Sequence, residues 1–523
     1  MDTKALRQKI LDLAIRGKLV PQDPKDEPAA VLLERIRAEK MQMVKDGKLK
    51  PKDIKNDTII YKGDDNLHYE KFADGTVKCI EDEIPFEVPE GWCWCRLLSL
   101  SIKIGAGSTP TGGAAVYTTS GIKFIRSQNV YDDGLFLDDV AYIPEEINQK
   151  KSGSIVKSKD ILLNITGGSI GRCALVSDDF DIANVNQHVM IIRLANLELR
   201  KYIHSVVIAP YLQEQIISRQ VGSGRGGLSA ESLSTFLIPL PPLNEQVSIN
   251  RKLNECISQV LVIADAKCNI SNLIIATKSK ILDLAIRGKL VPQDPNDEPA
   301  SVLLERIRSE KEELIKQGKI KRDKKESVIF KGDDNSYYQD LPENWQFTSL
   351  REITTPFTLN DGDWILSQNM SNIGDVKLLQ LGSIGNMVYI DKGFKYLTKD
   401  TFNELSCTEI FSGYLLINRI ISDKMCCCIV PNIDGTIITT VDTCWIAPSN
   451  ASYDIKFLMY QLASPTFQKE VLLKASGTTR RRISKNNLIN ISLLLPPLAE
   501  QKRIVAAIKK IFATLDDISN QVV

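Results

Sequence analysis

The sequence predicts an α+β protein written twice: two similar tandem modules joined by long antiparallel coiled-coil helices, in a pseudo-two-fold, circularly organised arrangement. Three observations carry this. KILDLAIRGKLVPQDPKDEPAAVLLERIRAEK at 9–40 returns at 280–311 with only three differences, Lys25/Asn296, Ala30/Ser301 and Ala38/Ser309. A heptad stripe, broken only by Lys267 and Thr277, runs from Ile249 to Leu284. Short β-rich runs fill the two intervals between the repeats. A chain of 523 residues exceeds what one core supports. The repeat unit, a domain of about 150 residues plus a connector, is too long for a solenoid.

Taken in order, residues 1–52 form a helical repeat whose second helix, roughly 28–46, begins at Pro28 and stops at Gly47. KGDDN comes next, at 62–66. The first module, 86–242, opens on PEGW at 89–92 and closes on LPPLNEQ at 240–246. It contains ILLNI (161–165), CALV (173–176) and HVMIIRL (188–194) as strands, then a helical stretch at 198–219. Residues 243–320 form the central helix and its extension. Ile249, Leu253, Cys256, Val260, Ile263, Lys267, Ile270, Ile274, Thr277, Ile281 and Leu284 keep 4-3 spacing with no Pro or Gly from 244 to 287. That stripe is ~54 Å long at helical rise. The extension at 299–317 stops at Gly318, and KGDDN recurs at 331–335. The second module, 338–496, opens on PENW, carries strands YLLINRI (414–420) and CCIV (427–430) and a helical stretch at 454–474, and closes on LPPLAEQ at 495–501. Residues 497–523 are the last helix.

The two chain ends rebuild the central helix. Ile504, Leu515 and Ile518 stand for Ile249, Val260 and Ile263, while Leu6, Ile10 and Leu13 stand for Thr277, Ile281 and Leu284. This predicts two antiparallel rods, one continuous and one split between the termini, with a module at each end. The VPQDP-to-ERIR extensions either enlarge a docking surface or cap the rods as solvated helices.

Composition narrows the function classes. No run approaches the roughly 18 uninterrupted apolar residues of a membrane helix, and the N-terminus lacks a secretory cleavage pattern. The expected location is the cytoplasm. Eleven cysteines without C-x2-C spacing read as reduced, mostly buried thiols. With only His68, His188 and His204, no metal site is expected. A net charge of +1 argues against a uniformly basic nucleic-acid binder. Local charge differs: Lys469, Lys474, Arg480, Arg481, Arg482 and Lys485 face the single acid Glu470 across 465–487.

Polar loops supply the candidate contacts. SQN occurs in both modules, as Ser127, Gln128, Asn129 and as Ser367, Gln368, Asn369. Such amides can pair with an adenine edge, or the motif is a strand-end turn preserved by duplication. GSIG also recurs, at 168–171 and 382–385, in positions that do not obviously correspond. Before each PPL lies a loop of small residues and arginine, GSGRGGLSAESL with Arg225 and SGTTRRRISKNNL with Arg480, Arg481 and Arg482. These loops suit phosphate or guanine contacts, or serve as connectors. The glycine runs lack the context of a nucleotide cradle, no methyltransferase motif occurs, and no catalytic set emerges.

With PLPPLNEQ, the GSGRGGLS loop, FIRSQNV at 124–130 and DILLNITGGSIGRCALV at 160–176, the chain resembles the specificity subunits of type I restriction-modification enzymes. The resemblance adds Arg126 and Arg172, inside those motifs, to the DNA-binding candidates. It implies that the modules are target recognition domains, each reading half of a bipartite asymmetric site in double-stranded DNA. The helices would set the spacer and dock two modification subunits. Those partners would carry S-adenosylmethionine for adenine methylation, and restriction subunits would use ATP and Mg. This chain would catalyse nothing and hold no cofactor. A type IIB specificity subunit, a protein-binding coiled-coil scaffold and an autonomous methyltransferase are the alternatives.

Overall fold

The computed structural model describes residues 2–220, 226–322, 341–449, 451–478 and 480–522. The chain divides into two compact units, Met1–Ala266 and Lys267–Val523.

In the first unit, Thr3–Ile15 is a helix whose Asp2 carboxylate caps the amides of Lys4 and Ala5. The chain then turns at Gly17, where φ is +65° and an added Cβ would lie 2.3 Å from Pro89 Cγ. The second helix, Ala29–Lys45, is not a solvated cap. Ala29, Leu32 and Ile36 are buried in the same core as Leu97 and Leu100. Lys40 on the same helix is only 1% exposed, paired with Asp57 at 2.6 Å and donating to the Leu98 carbonyl at 3.0 Å. The second unit repeats the device with Ala300–Lys316. Ala300, Leu303, Leu304 and Ile307 join Leu350 and Ile353, and Lys311 donates to the Arg351 carbonyl. Both extensions therefore belong to the base of their own module.

The repeated sequence signatures converge at one point in each unit. Trp92 Nε1 donates to Glu245 Oε2 at 2.8 Å while Gln22 Nε2 donates to Glu245 Oε1 at 3.0 Å. Trp345 and Gln293 do the same to Glu500, at 3.0 and 2.7 Å. Burial raises both carboxyls above the usual range, against the opposing pull of these bonds. The neighbouring Gln246 and Gln501 donate to the carbonyls of Pro241 and Pro496. PEGW, VPQDP and LPPLNEQ recur because they form one hydrogen-bonded junction. The segments flanking it pair as strands, Cys93–Arg96 with Leu237–Leu240 and Gln346–Ser349 with Ser492–Leu495.

A three-stranded antiparallel sheet, Ile59–Lys62, His68–Lys71 and Val77–Cys79, falls in a stretch to which the sequence reading assigned no domain. KGDDN forms its first turn, and Glu70 fastens it to Arg96 at 2.6 Å. Burial pushes Glu70 up, but the bonds from Arg96 and Thr58 hold its carboxyl below the usual range. The second KGDDN lies outside the described residues.

Each module is a helix layer on a sheet on a second sheet. In the first, the all-antiparallel sheet runs Cys173–Leu175, Ile161–Asn164, Val189–Leu194, Ser101–Ala106. The other runs Ile155–Val156, Ala183–Val185, Ile122–Ile125, Ala141–Ile143, with its middle pair parallel. Strand alternation divides the core. Leu162 and Ile191 meet Ile125 and Val185 of the second sheet. Ile161, Leu163 and Ile192 instead join Tyr202, Ile203 and Val206 of the helix layer. The second module repeats this with Leu359–Asp361, Thr443–Ile446, Leu415–Asn418 and Cys427–Ile429 against Lys395–Leu397, Val376–Leu379 and Thr436–Thr439. Adjacent Cys427 and Cys428 point into the two different cores. All eleven cysteines are free, but only Cys95, Cys173, Cys427, Cys428 and Cys444 are buried, fewer than expected.

The helical stretches at 198–219 and 454–474 are each two helices. Arg200–Ile208 gives way to Pro210–Ser218, and Ile455–Ala463 to Pro465–Lys474, because a proline cannot continue a preceding helix. Leu243–Ile286 is one helix of 44 residues. In the first unit Ile249 and Leu253 enter the main core. In the second, Ile281, Leu282 and Ala285 pack with Ile504 and Ile508 of Leu498–Val522, while Lys278 reaches Phe512 and Asp516. These two stretches run antiparallel. By length and composition this helix is apolar enough to cross a membrane, and only 11% of its apolar window is buried. Polar residues still interrupt the run, as the sequence shows, but the mean hydropathy of the window stays high.

Candidate nucleic-acid interface

Topology decides which loops meet. In the first module the parallel strands Ile122–Ile125 and Ala183–Val185 end on one side. There they join the end of Ser101–Ala106, the turn between Ile161–Asn164 and Cys173–Leu175, and the start of Val189–Leu194. Side chains tie the ends together. Asn164 Nδ2 donates to the Ser127 carbonyl at 2.8 Å, and Thr166 Oγ1 lies 2.6 Å from His188 Nδ1. Thr166 also bridges to Gly227, so the described end of the loop, from Gly226 on, reaches the same rim.

Arg126, Ser127, Gln128 and Arg172 stand at this end. The Arg126 guanidinium donates to the Asp139 carbonyl at 3.0 Å and lies over Tyr117. Gln128 is exposed with its amide on the Asp139 carboxylate. Arg172 lies 4.5 Å over the Tyr131 ring. Asn129 is different: it is fully buried, and its amide bonds the Phe136 carbonyl and Asp139 while its oxygen accepts from Arg126 N. Its amide edge is spent inside the fold. Arg225 lies outside the described residues. Thr109, Gln187 and His188, which the sequence reading passed over, join the same rim; Gln187 accepts from Thr109 N at 3.1 Å.

In the second module the same five segments enclose a cleft of about 770 Å³, lined among others by Trp364, Ser367, Gln380, Asp442, Arg480 and Arg482. Arg482 Nη2 lies 3.0 Å from Asp442 Oδ1, and Arg480 Nη2 3.8 Å from Asp442 Oδ2. Buried Arg419 braces the floor, donating to the Val441 carbonyl and pairing with Asp361 at 3.2 Å. Burial pushes the Asp361 carboxyl up, opposed by Arg419, Lys485 and Arg482. Gln368 is exposed and Asn369 lies in the turn that carries Ser367, but neither lines the cleft. Arg481 is exposed beside it, on the short strand Arg481–Arg482.

Strand pairing corrects the SQN correspondence and agrees with the sequence reading that the GSIG copies are not equivalent. Val376–Leu379, parallel to Thr436–Thr439, is the counterpart of Ile122–Ile125, parallel to Ala183–Val185. The first SQN comes after that strand and the second before it. They are neither equivalent readers nor a turn inherited by duplication. The second GSIG is the segment directly after Val376–Leu379, so the GSIG copies do not correspond either. The arginine loops do correspond. Gly227 bridges Thr166 as Arg482 pairs with Ile420, each two residues beyond a matching strand. No sequence signal marked Asp442 or Trp364, which approach the arginines only once both sheets have formed.

Such a rim offers guanidinium, amide and hydroxyl groups set for hydrogen bonding and charge, which is the chemistry of nucleic-acid contact. The family model for the type I restriction modification DNA specificity domain matches residues 102–267 and 342–522. The type I restriction enzyme EcoAI specificity subunit of Escherichia coli is 28% identical over 480 residues, 79% of this chain and 71% of that protein. The EcoEI specificity subunit of the same organism is 26% identical over 581 residues, covering 99% of this chain and 90% of its own length. A chain from a solved structure of a type I R-M system shares the fold, with a TM-score of 0.53 at 17% identity over 84% of this chain and 94% of that one. The chain therefore belongs to the family of type I restriction-modification specificity subunits, and it carries the family's DNA specificity domain twice.

Proposed function

We propose that each module reads one half of a bipartite asymmetric site in double-stranded DNA, and that the helices between and after the modules set the spacer and dock two modification subunits. The observation that carries this is the gathering, in each module separately, of five segments at one end, with Arg126 and Arg172 in one and Arg480 and Arg482 in the other. Phosphate contacts would give affinity and register, and base edges specificity. On this reading the chain is non-catalytic and without cofactor. S-adenosylmethionine belongs to the modification subunits, ATP and Mg to restriction subunits, and the complex acts on DNA in the cytoplasm. A type IIB system, with one fused partner, is distinguished by the neighbouring genes.

The test is methylome sequencing of a methylation-free host carrying this gene with its neighbouring modification gene, beside the modification gene alone. A split asymmetric methyladenine motif that depends on this chain is expected. Assembled subunits that leave no motif would overturn the reading in favour of a protein scaffold.

A further inference from the structure

The two arginines of the second cleft are held differently. Arg482 sits on a paired strand: its backbone exchanges bonds with Ser476 at 2.8 and 3.0 Å and pairs with Ile420. Its side chain is 41% exposed, with Nη2 on the carboxylate of Asp442, itself 26% exposed. Its Nε is buried and has no hydrogen-bond partner. Arg480 lies before that strand, 67% exposed, with a longer 3.8 Å contact to the other carboxylate oxygen. A carboxylate in a cleft that faces phosphates costs binding energy unless it does something for recognition. Asp442 holds one guanidinium nitrogen of an arginine whose backbone is fixed by strand pairing, which orders the side chain before DNA arrives.

We propose that Arg482, aimed by the positioning residue Asp442, reads a guanine in the half-site of the second module, while Arg480 contacts phosphate. The forked guanidinium matches guanine O6 and N7 in the major groove. A more exposed arginine with a looser partner suits the sequence-independent backbone. The first module has no equivalent pair among its described residues. Gly227 occupies the place of Arg482, and His188, bonded to Thr166, that of Asp442. The proposed guanine contact therefore belongs to the half-site of the second module. This inference rests on the half-site reading above.

The experiment is the same methylome measurement on the assembled complex with Arg482→Ala, Arg482→Lys, Asp442→Asn and Arg480→Ala. Arg482→Ala and Arg482→Lys lose discrimination at one guanine position by roughly tenfold or more, with the other half-site intact. Lysine keeps the charge without the fork, so it carries the test if the alanine variant fails to assemble. Asp442→Asn relaxes the same position less. Arg480→Ala keeps the motif, lowers methylation at all sites and reduces the salt slope of DNA binding by about one. Full discrimination in both Arg482 variants would overturn the proposal, as would a base position relaxed by Arg480→Ala instead. An unrelaxed Asp442→Asn would remove the positioning role. If the wild-type chain yields no split motif, the half-site reading itself fails, and this inference with it.

Discussion

Glu245 and Glu500 each accept two N–H bonds on different oxygens; removing either strands a buried indole, while the Gln22 and Gln293 amides keep their bonds to the Gly17 and Gly288 carbonyls. Glu245→Ala is expected to cost about 1–3 kcal/mol for the indole left unpaired, and Glu500→Ala a similar amount. Thermal unfolding of the two variants checks it, and a loss in one unit only would show that the junctions are not energetically equivalent. His204 offers a pH signature. Its Nε2 donates to the Cys173 carbonyl at 2.9 Å, and burial holds its imidazole below the ordinary range despite that bond. With the folded value depressed, the unfolded chain takes up its proton first, so this contribution is full above the unfolded value and is lost as pH falls toward the folded one. The stability advantage of wild type over His204→Asn should shrink as pH falls below about 6.5. A gap that stays constant with pH would refute it. At this scale the sequence reading found arginines in plain view but credited Asn129, whose burial no local pattern announces.

The extension helices show how an element's role hides from its sequence. Ala29–Lys45 carries enough charge to read as solvated, yet its Lys40 is among the most deeply buried side chains of the first unit. Burial pushes the Lys40 ammonium below and the Asp57 carboxyl above their usual ranges, each opposed by the other's charge. Lys40→Met leaves the carboxylate without its cation and should destabilise the first unit by about 3 kcal/mol. Lys40→Met combined with Asp57→Asn should recover part of that. A denaturant series on wild type and both variants measures it, and no loss in the single variant would mean the pair is dispensable. The strands were easier to read, since ILLNI and HVMIIRL became Ile161–Asn164 and Val189–Leu194. The repeated tripeptides misled because three residues can recur by chance, whereas the parallel pairing of two strands in each module defines equivalence independently of sequence.

For the whole molecule, the duplicated architecture makes a prediction about spacing. Deleting residues 260–266 removes one heptad from Leu243–Ile286, a loss of roughly 10 Å or on the order of three base-pair rises. Both modules keep their own cores. Methylome sequencing should show a changed spacer or no methylation, with assembly retained. An unchanged spacer between unchanged half-sites would sink the idea that this helix sets it.

The sequence by itself determined that the chain is written twice, where the modules open and close, that a long helix joins them, and which family it resembles. Repeats, heptads and closing motifs are local or self-similar patterns that need no partner in space. Only the tertiary structure decided that Trp92, Gln22 and Glu245 form one junction and that five loops share one rim. It alone set Asp442 beside Arg482. Those residues are tens to hundreds of positions apart, and strand pairing and the burial of two sheet faces bring them together. That is a property of the closed fold and of no segment within it.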